Sequence, residues 1–393
     1  MRQIIQNLRS YFQELSQFFR KGDMILLTLC LVLSAFGCLV IASATNVYNT
    51  PRYVIIQIVA IIIGLCAYAA TSSLDAEFLS EHRTWLIGFN ILLLAMLVPF
   101  GVVHGGNRSW LSFPFLPIEI QPAEIIKMTY ILITASVMAS HQNRPSALTS
   151  VIHVAFHMVL VVGLNMVLSS DAGVSLIFVF IFIGMAFAGG IGIFWFLFGS
   201  GLLVAALPIL WNVIMSNEQR DRILALIDPS IDPQGLDELW QFTMSKRSLT
   251  GGGFFGQGLF EGTRTQTEGA LFAQHTDFIF AAIGEELGFF GCAFVLIMLL
   301  LIIARCIQVG ISSPDYMRRL ICFGAASGLL FQVLVNVGMC LGVMPVIGLT
   351  LPFVSYGGSS IVSLYAMLGL VSGVHARPTP TSHERYVRPP IHL

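Results

Sequence analysis

A ten-helix, all-α integral membrane protein is the fold class this sequence predicts, and three observations predict it. Hydrophobic residues make up 56% of the 393-residue chain and charged residues only 10%, where a soluble domain carries roughly a quarter charged. Ten apolar runs approach the roughly twenty residues needed to cross a hydrocarbon core of about 30 Å. Lys and Arg also crowd onto one set of connections, as they do on the cytoplasmic side of membrane proteins.

Bounded by charge or turn residues, the runs fall at Met24 to Ala44, Tyr53 to Ala70, Trp85 to Val103, Ala123 to Ala139 and Thr149 to Leu168. They continue at Gly173 to Gly189, Ile191 to Ile214, Phe278 to Cys306, Met317 to Gly342 and Val354 to His375. Residues 1–22 read as an interfacial helix, because Ile4, Ile5, Leu8, Tyr11, Phe12, Leu15, Phe18 and Phe19 recur at three- and four-residue spacing. They do not read as a cleavable signal, since the apolar run that follows is too long and lacks a small-residue cleavage site. The membrane domain is expected over 23–377, with 215–277 as its one large loop, and 378–393, rich in Pro and polar residues, as a disordered tail.

Arg2, Arg9, Arg20 and Lys21 precede the first run, and Arg83, Arg144, Arg305, Arg318, Arg319, Arg377, Arg385 and Arg388 lie on the same set of connections; the opposite short loops have only Arg52 and Arg108. Both termini are therefore expected in the cytoplasm and the 215–277 loop outside.

Several function classes are disfavoured. A net charge of −1 offers no concentrated basic surface for nucleic acid. The seven cysteines lie within or at the ends of spans, with no C-x-x-C pair, and read as packing residues. Gly251, Gly253 and Gly256 spell G-x-G-x-x-G without a preceding strand, so a flexible loop is favoured over a dinucleotide site. His153 and His157 share a helix face but lack a third metal ligand nearby in sequence, so no metal site is assigned. Gly284/Gly288, Gly338/Gly342 and Gly369/Gly373 are small-residue pairs that permit close helix contact.

Polar residues gather instead at the outer ends of the spans. Arg108 and Trp110 precede Glu124 and Lys127, which share a face of a helix begun by Pro122; a structural ion pair and a site for an anionic ligand are both open readings. Asp171, in a very short loop, is at least as well suited to capping a helix as to chemistry. Asp277 follows His275 where the long hydrophilic loop returns to the membrane, with Glu285 and Glu286 further on. On an unbroken helix from Asp277, Glu286 would face the other way, roughly 13 Å deeper. Ser355, Gly357 and Gly358 lie in a breaker-rich stretch that leaves backbone groups free to line a cavity.

One carboxylate among cations suits a transfer from a diphosphate-linked sugar better than glycoside hydrolysis, which normally wants two carboxylates. The diphosphate leaves readily once its charge is neutralised, by Arg108, Lys127 or a divalent cation such as Mg²⁺, and the attacking hydroxyl needs only a base. This permits the reaction class without establishing it.

At these residues the chain resembles the SEDS family, the RodA/FtsW-type proteins of shape, elongation, division and sporulation, over nearly its whole length. The matching stretches are Arg108-Ser109-Trp110-Leu111, Gln121-Pro122-Ala123-Glu124-Ile125-Ile126-Lys127, His275-Thr276-Asp277-Phe278, Gly284-Glu285-Glu286-Leu287-Gly288 and Pro352-Phe353-Val354-Ser355-Tyr356-Gly357-Gly358-Ser359-Ser360. The resemblance implies a multi-pass peptidoglycan glycosyltransferase of the bacterial plasma membrane. It would polymerise lipid II into glycan strands at the outer face, release undecaprenyl pyrophosphate, and work with a class B penicillin-binding transpeptidase. It also makes Asp277 the catalytic residue; no cofactor is assigned, and a divalent cation such as Mg²⁺ stays open. Trp240-Gln241-Phe242-Thr243-Met244-Ser245 leans slightly to the division branch, while Met244 and Phe272-Ala273 depart from residues frequent in the family. Two other functions stay open: a flippase for the lipid-linked precursor, resting on Glu285 and Glu286, and a non-catalytic scaffold for the transpeptidase.

Overall fold

The computed structural model describes residues 22–104, 107–112, 119–224, 226, 228 and 238–377. The expected interfacial segment 1–22, all but its last residue, and the tail 378–393 lie outside the described residues. Helices dominate. In chain order they are α1 (Met24–Ala44), α2 (Arg52–Ser73), α3 (Ala76–Glu81), α4 (Arg83–Ala95), α5 (Leu97–Phe100), α6 (Pro122–Ser140) and α7 (Leu148–Ser169). They continue with α8 (Ala172–Ala188), α9 (Ile193–Ile209), α10 (Asn217–Leu224), α11 (Glu238–Gly251), α12 (Ile279–Ser312), α13 (Tyr316–Leu341) and α14 (Gly358–Ala376).

Among the described residues nine helical stretches are long and apolar enough to cross a membrane, and α8, equally apolar, is 17 residues long. The chain is a multi-pass membrane protein. Its starts follow the sequence signals: Asp23 caps α1 through Leu26 N–H, Asp171 caps α8 through Val174 N–H, and Pro122 opens α6. One departure from the all-helical expectation is a hairpin, β1 (Gly101–His104) against β2 (Asn107–Leu111). It takes over the end of the run expected to stay helical to Val103, and α4 has already given way at Met96 to the short α5.

The core is built on α6, α13 and α14, most of whose side chains are buried. α2 lies flat along α14 because Gly369 and Gly373 remove the side chains that would meet it. A Cβ on Gly369 would lie 2.5 Å from the Tyr68 carbonyl, and one on Gly373 2.8 Å from that of Ser72. At the other extreme, α9 buries none of its residues and is held at its start, where Ser146 accepts from Gly192 N–H and Trp195 Nε1–H.

One end of the bundle is tied by ionic groups: Asp23 to Arg305 at 2.8 Å, Arg318 to Asp75 and to the Arg377 carbonyl, and Arg377 to the Ser72 and Leu74 carbonyls. At the opposite, loop end, α11 and the turns after it fold back over the helix ends.

A second correction concerns α12. It is not an unbroken helix. Gly288 sits at φ 66°, ψ −160°, outside every helical conformation. The Glu285 and Glu286 carbonyls, no longer free to continue the ladder, accept from Gln257 and Gly258 N–H, while Phe289 and Phe290 N–H donate to Gly253 and Phe254. The piece from Ile279 to Leu287 therefore stays at the loop end. The remaining 24 residues, 289 to 312, give roughly 36 Å of helix, enough by themselves to span.

Candidate active site

Asp277 lies two residues before α12, at the loop end. The segment that carries it is pinned by a different element at each residue. Gln274 Nε2 donates to the Ala44 carbonyl at the end of α1 (2.6 Å) and to that of Thr265 (3.1 Å). The His275 carbonyl accepts from Tyr356 N–H (2.8 Å), and the Thr276 carbonyl from Ser355 Oγ–H (2.6 Å). The Asp277 carbonyl accepts from Asn336 Nδ2 of α13 (2.8 Å), which also donates to Leu349. A polar amide inside an apolar helix is costly, and although Oδ1 is buried without a partner, the two bonds from Nδ2 offset part of that cost and fix two loops at once.

The Asp277 carboxylate is left out of this scaffolding. It is half-buried, and among the described residues nothing donates a hydrogen bond to it. The Gly348 backbone passes close by: a side chain there would begin 3.9 Å from Oδ2. Burial, and secondarily the negative charge of Asp171, pushes the Asp277 carboxyl up to about 6, with Arg222 pulling the other way. Desolvation with no bonded donor leaves the charged form under-stabilised, which makes the group a stronger base than an exposed aspartate. His275 is pushed down by burial, so its ring is neutral at pH 7.

The other candidates divide into those that share this end in supporting roles and those drawn away. Asp171 is buried and fully used: Oδ1 accepts from Val174 N–H, Oδ2 from Ser109 Oγ and Gln121 Nε2. It is a cap and a clasp for β2, and its charge still reaches Asp277. Glu124 and Lys127 are both buried and pair at 2.8 Å, with Ser363 of α14 donating to the second Glu124 oxygen. Lys127 thus spends its charge on Glu124. Arg108, on β2, is exposed, and Trp110 on the same strand is half-buried. Ser355 is buried and bonds both Leu351 N–H and Thr276, while Gly357 donates to Gln57 of α2. Gly358 opens α14.

Glu285 and Glu286 are not brought to Asp277. Glu285 accepts from Arg264 and from both the backbone and hydroxyl of Thr265. Glu286 accepts from Ser43, next to last in α1, and from Gln266. The break at Gly288 comes after Glu286, so the helical piece from Ile279 still separates Glu286 from Asp277, and the two carboxylates meet different partners. His153 and His157 do share a face and are joined by His141, 3.0 Å from His153.

Gln57, Asn336, Tyr53, Tyr48 and Arg222 surround the site and were not singled out from sequence. Polarity inside an apolar run marks Gln57 and Asn336 in hindsight; nothing local marks the others. Among the described residues no three His, Cys, Asp or Glu side chains converge to hold a metal by themselves. Mg²⁺ needs less, one or two carboxylates plus substrate phosphates, so Asp277 with a bound diphosphate has fitting donors.

A family model described as cell cycle protein, FtsW/RodA/SpoVE, matches residues 23–379. The chain is 31% identical to a probable peptidoglycan glycosyltransferase FtsW of Trichlorobacter lovleyi, over 91% of this chain and 94% of that one. It is also 31% identical to the peptidoglycan glycosyltransferase MrdB of Escherichia coli K12, over 90% and 93%. Identity thus gives no preference between these two branches. Among solved structures it is similar to one described as structural coordination of polymerization and crosslinking by a peptidoglycan synthase complex, with TM-score 0.74, 31% identity and coverage of 93% and 99%. It is also similar to the rod shape determining protein RodA of Thermus thermophilus, with TM-score 0.66, 30% identity and coverage of 90% and 96%.

Proposed function

This chain belongs to the FtsW/RodA/SpoVE family of cell cycle proteins, and on that premise we propose that Asp277 is the general base of its sugar transfer. The protein is a peptidoglycan glycosyltransferase embedded in a membrane. The proposed substrate is lipid II and the growing glycan strand, at the outer face of the bacterial plasma membrane. Counting α8 with the nine longer spans gives ten crossings, an even number. The arginine-rich end with Asp23, Arg305 and Arg318 then faces the cytoplasm with both termini, and the loop end faces out.

In the proposed step, Asp277 takes the proton of the acceptor sugar's 4-hydroxyl. The oxygen forms a bond to the anomeric carbon of the strand, the bond from that carbon to the diphosphate oxygen breaks with its electron pair, and undecaprenyl pyrophosphate leaves with inversion. Arg222 and Arg108 are the cations that can meet the diphosphate charge, since Lys127 is committed to Glu124. If Mg²⁺ is bound, it supplies further neutralisation of the same charge.

The observation that carries this reading is a half-buried, undonated carboxylate raised to about 6 on a segment pinned at four consecutive residues. Such rigidity fixes a base within the narrow geometry that catalysis needs. The flippase reading rests on Glu285 and Glu286, and both carboxylates are engaged, Glu285 by Arg264 and Thr265 of the loop, Glu286 by Gln266 of the loop and Ser43 of α1. The synthase complex among the structural neighbours supports a penicillin-binding transpeptidase as partner. Glycan polymerisation by the purified protein, with and without such a transpeptidase and with and without Mg²⁺, tests the reading; no polymer from a well-folded preparation under any of these conditions contradicts it.

A further inference from the structure

Beside Asp277 lies a set of rings that the proton transfer does not use. Tyr48, just after α1, Tyr53, in the first turn of α2, and Tyr356, just before α14, surround His275. Centroids are 4.8 Å apart for Tyr53 and His275, 5.2 Å for Tyr53 and Tyr356, 5.7 Å for His275 and Tyr356, and 6.0 Å for Tyr48 and His275. All of these pairs are tilted or edge-to-face, an arrangement that does not sandwich ring faces against each other.

This is not a core cluster. Phe353 and Tyr365, a comparable edge-to-face pair inside the bundle, are fully buried, whereas Tyr48 is 37% exposed and Tyr53, His275 and Tyr356 are half-buried. His275 Nδ1 is shielded from solvent without a hydrogen-bond partner, a costly state for a buried polar atom. Charge rims the rings: Glu268 acts on Tyr48, and Arg52 and Glu119 act on Tyr356.

The surface continues past the rings. Thr50, Pro51, Arg52, Ile55 and Ile56 line an open groove of about 350 Å³ at the head of α2. From Ile55 an exposed stripe of Ile58, Val59, Ile62 and Ile63 runs down the same helix at three- and four-residue spacing, as a lipid-facing edge does. Aromatic rings, a cation and an apolar groove open to lipid thus follow one another. A polyprenyl-linked saccharide presents the same order: a pyranose with apolar C–H faces, a diphosphate and a hydrocarbon tail. Arg suits the diphosphate because its planar donors match phosphate oxygens in pairs.

We propose that Tyr48, Tyr53 and Tyr356 with His275, Arg52, and the Ile55–Ile56 groove form the acceptor subsite. It seats the lipid-linked sugar whose hydroxyl Asp277 deprotonates, and it rests on the reading of Asp277 as base. His275, two residues from Asp277, holds the tyrosine rings around it and is a positioning residue.

Equilibrium binding tests this in full-length protein carrying Asp277→Asn, so that nothing turns over. The probes are lipid II with a shortened prenyl chain and farnesyl diphosphate, which has no sugar. Tyr48→Leu and Tyr53→Leu are expected to weaken lipid II binding about ten-fold, the scale of a lost aromatic contact, and leave farnesyl diphosphate binding unchanged. Arg52→Gln is expected to weaken both, and Tyr53→Phe neither. Unchanged lipid II affinity in both leucine variants overturns the proposal. So does an equal loss for both probes in the leucine variants, or a Tyr53→Phe loss matching Tyr53→Leu with a lowered Tm, either of which marks packing rather than sugar recognition. Normal polymerisation by Asp277→Asn with these binding losses intact overturns the base and not the subsite.

Discussion

At the scale of the residue, two carboxylates near each other are given different work by their surroundings. Asp171 is saturated with donors and serves the fold; Asp277 has none and is raised to about 6 by burial. The base must be ionised to accept a proton, so activity is lost as pH falls through the raised value. A plot of log kcat/KM against pH is expected to rise with unit slope below about pH 6 and to level above it; a profile flat down to pH 4.5 contradicts the assignment. The sign for stability is the reverse. A carboxyl raised by burial binds its proton more tightly in the folded state, so its contribution favours folding at acid pH and declines as pH climbs from about 4 to about 6. Lys127 makes a separate test. Lys127→Met leaves Glu124 charged and buried, a loss of roughly 3–5 kcal/mol, whereas Lys127→Met combined with Glu124→Leu removes both charges and is expected to recover most of the Tm. A double variant no more stable than the single one, measured by thermal unfolding in detergent, contradicts a purely paired role.

At the scale of the element, the break in α12 matters most. A backbone at φ 66°, ψ −160° is open essentially to Gly alone, and a Cβ on Gly288 would meet Gly256 N at 2.4 Å and the Phe254 carbonyl at 2.6 Å. Gly288→Ala is therefore expected to cost at least about 2–3 kcal/mol and to loosen the 252–266 turns, read as a lower Tm and faster proteolysis there. An unchanged Tm and digestion pattern contradicts the coupling. The break was not legible in the sequence, because one Gly in an apolar run costs a helix only about 1 kcal/mol and gives no sign of what will fill the gap. Its partner, the glycine-rich loop at 251–256, was visible but read only as flexible. Membrane helices were legible where hydropathy decides: α1 runs from Met24 to Ala44, as its apolar run does. The β1–β2 hairpin was not, since β1 begins inside the apolar run that ends at Val103 and β2, Asn107–Leu111, is short and polar at its start; Gly105-Gly106 was the signal that could have marked it.

At the scale of the whole molecule, the site is a meeting of distant segments. Gln274 reaches α1, Tyr356 and Ser355 precede α14, Asn336 belongs to α13, and Gln57 of α2 holds Ser355 and Gly357. The motifs around Asp277, Lys127 and Ser355 were legible as polar clusters at span ends, but what each contacts was not. Spacing along the chain says nothing of which span lies beside which, and that is why Lys127 stood open between ligand and ion pair until Glu124 and Ser363 were seen around it. The proposed topology makes a prediction of its own. With the loop end outside, a cysteine introduced at Gln142 or Arg144 is expected to be shielded from a membrane-impermeant maleimide in intact cells, and one at Thr267 labelled; the opposite pattern inverts the topology and removes Asp277 from any outer-face substrate.

The most direct test is lipid II polymerisation by purified wild-type and Asp277→Asn protein of equal Tm, each with the proposed transpeptidase partner. Glycan strands from the first, and a rate at least about a thousand-fold lower from the second, are expected for loss of a fixed general base. Polymerisation by Asp277→Asn at the wild-type rate contradicts the account.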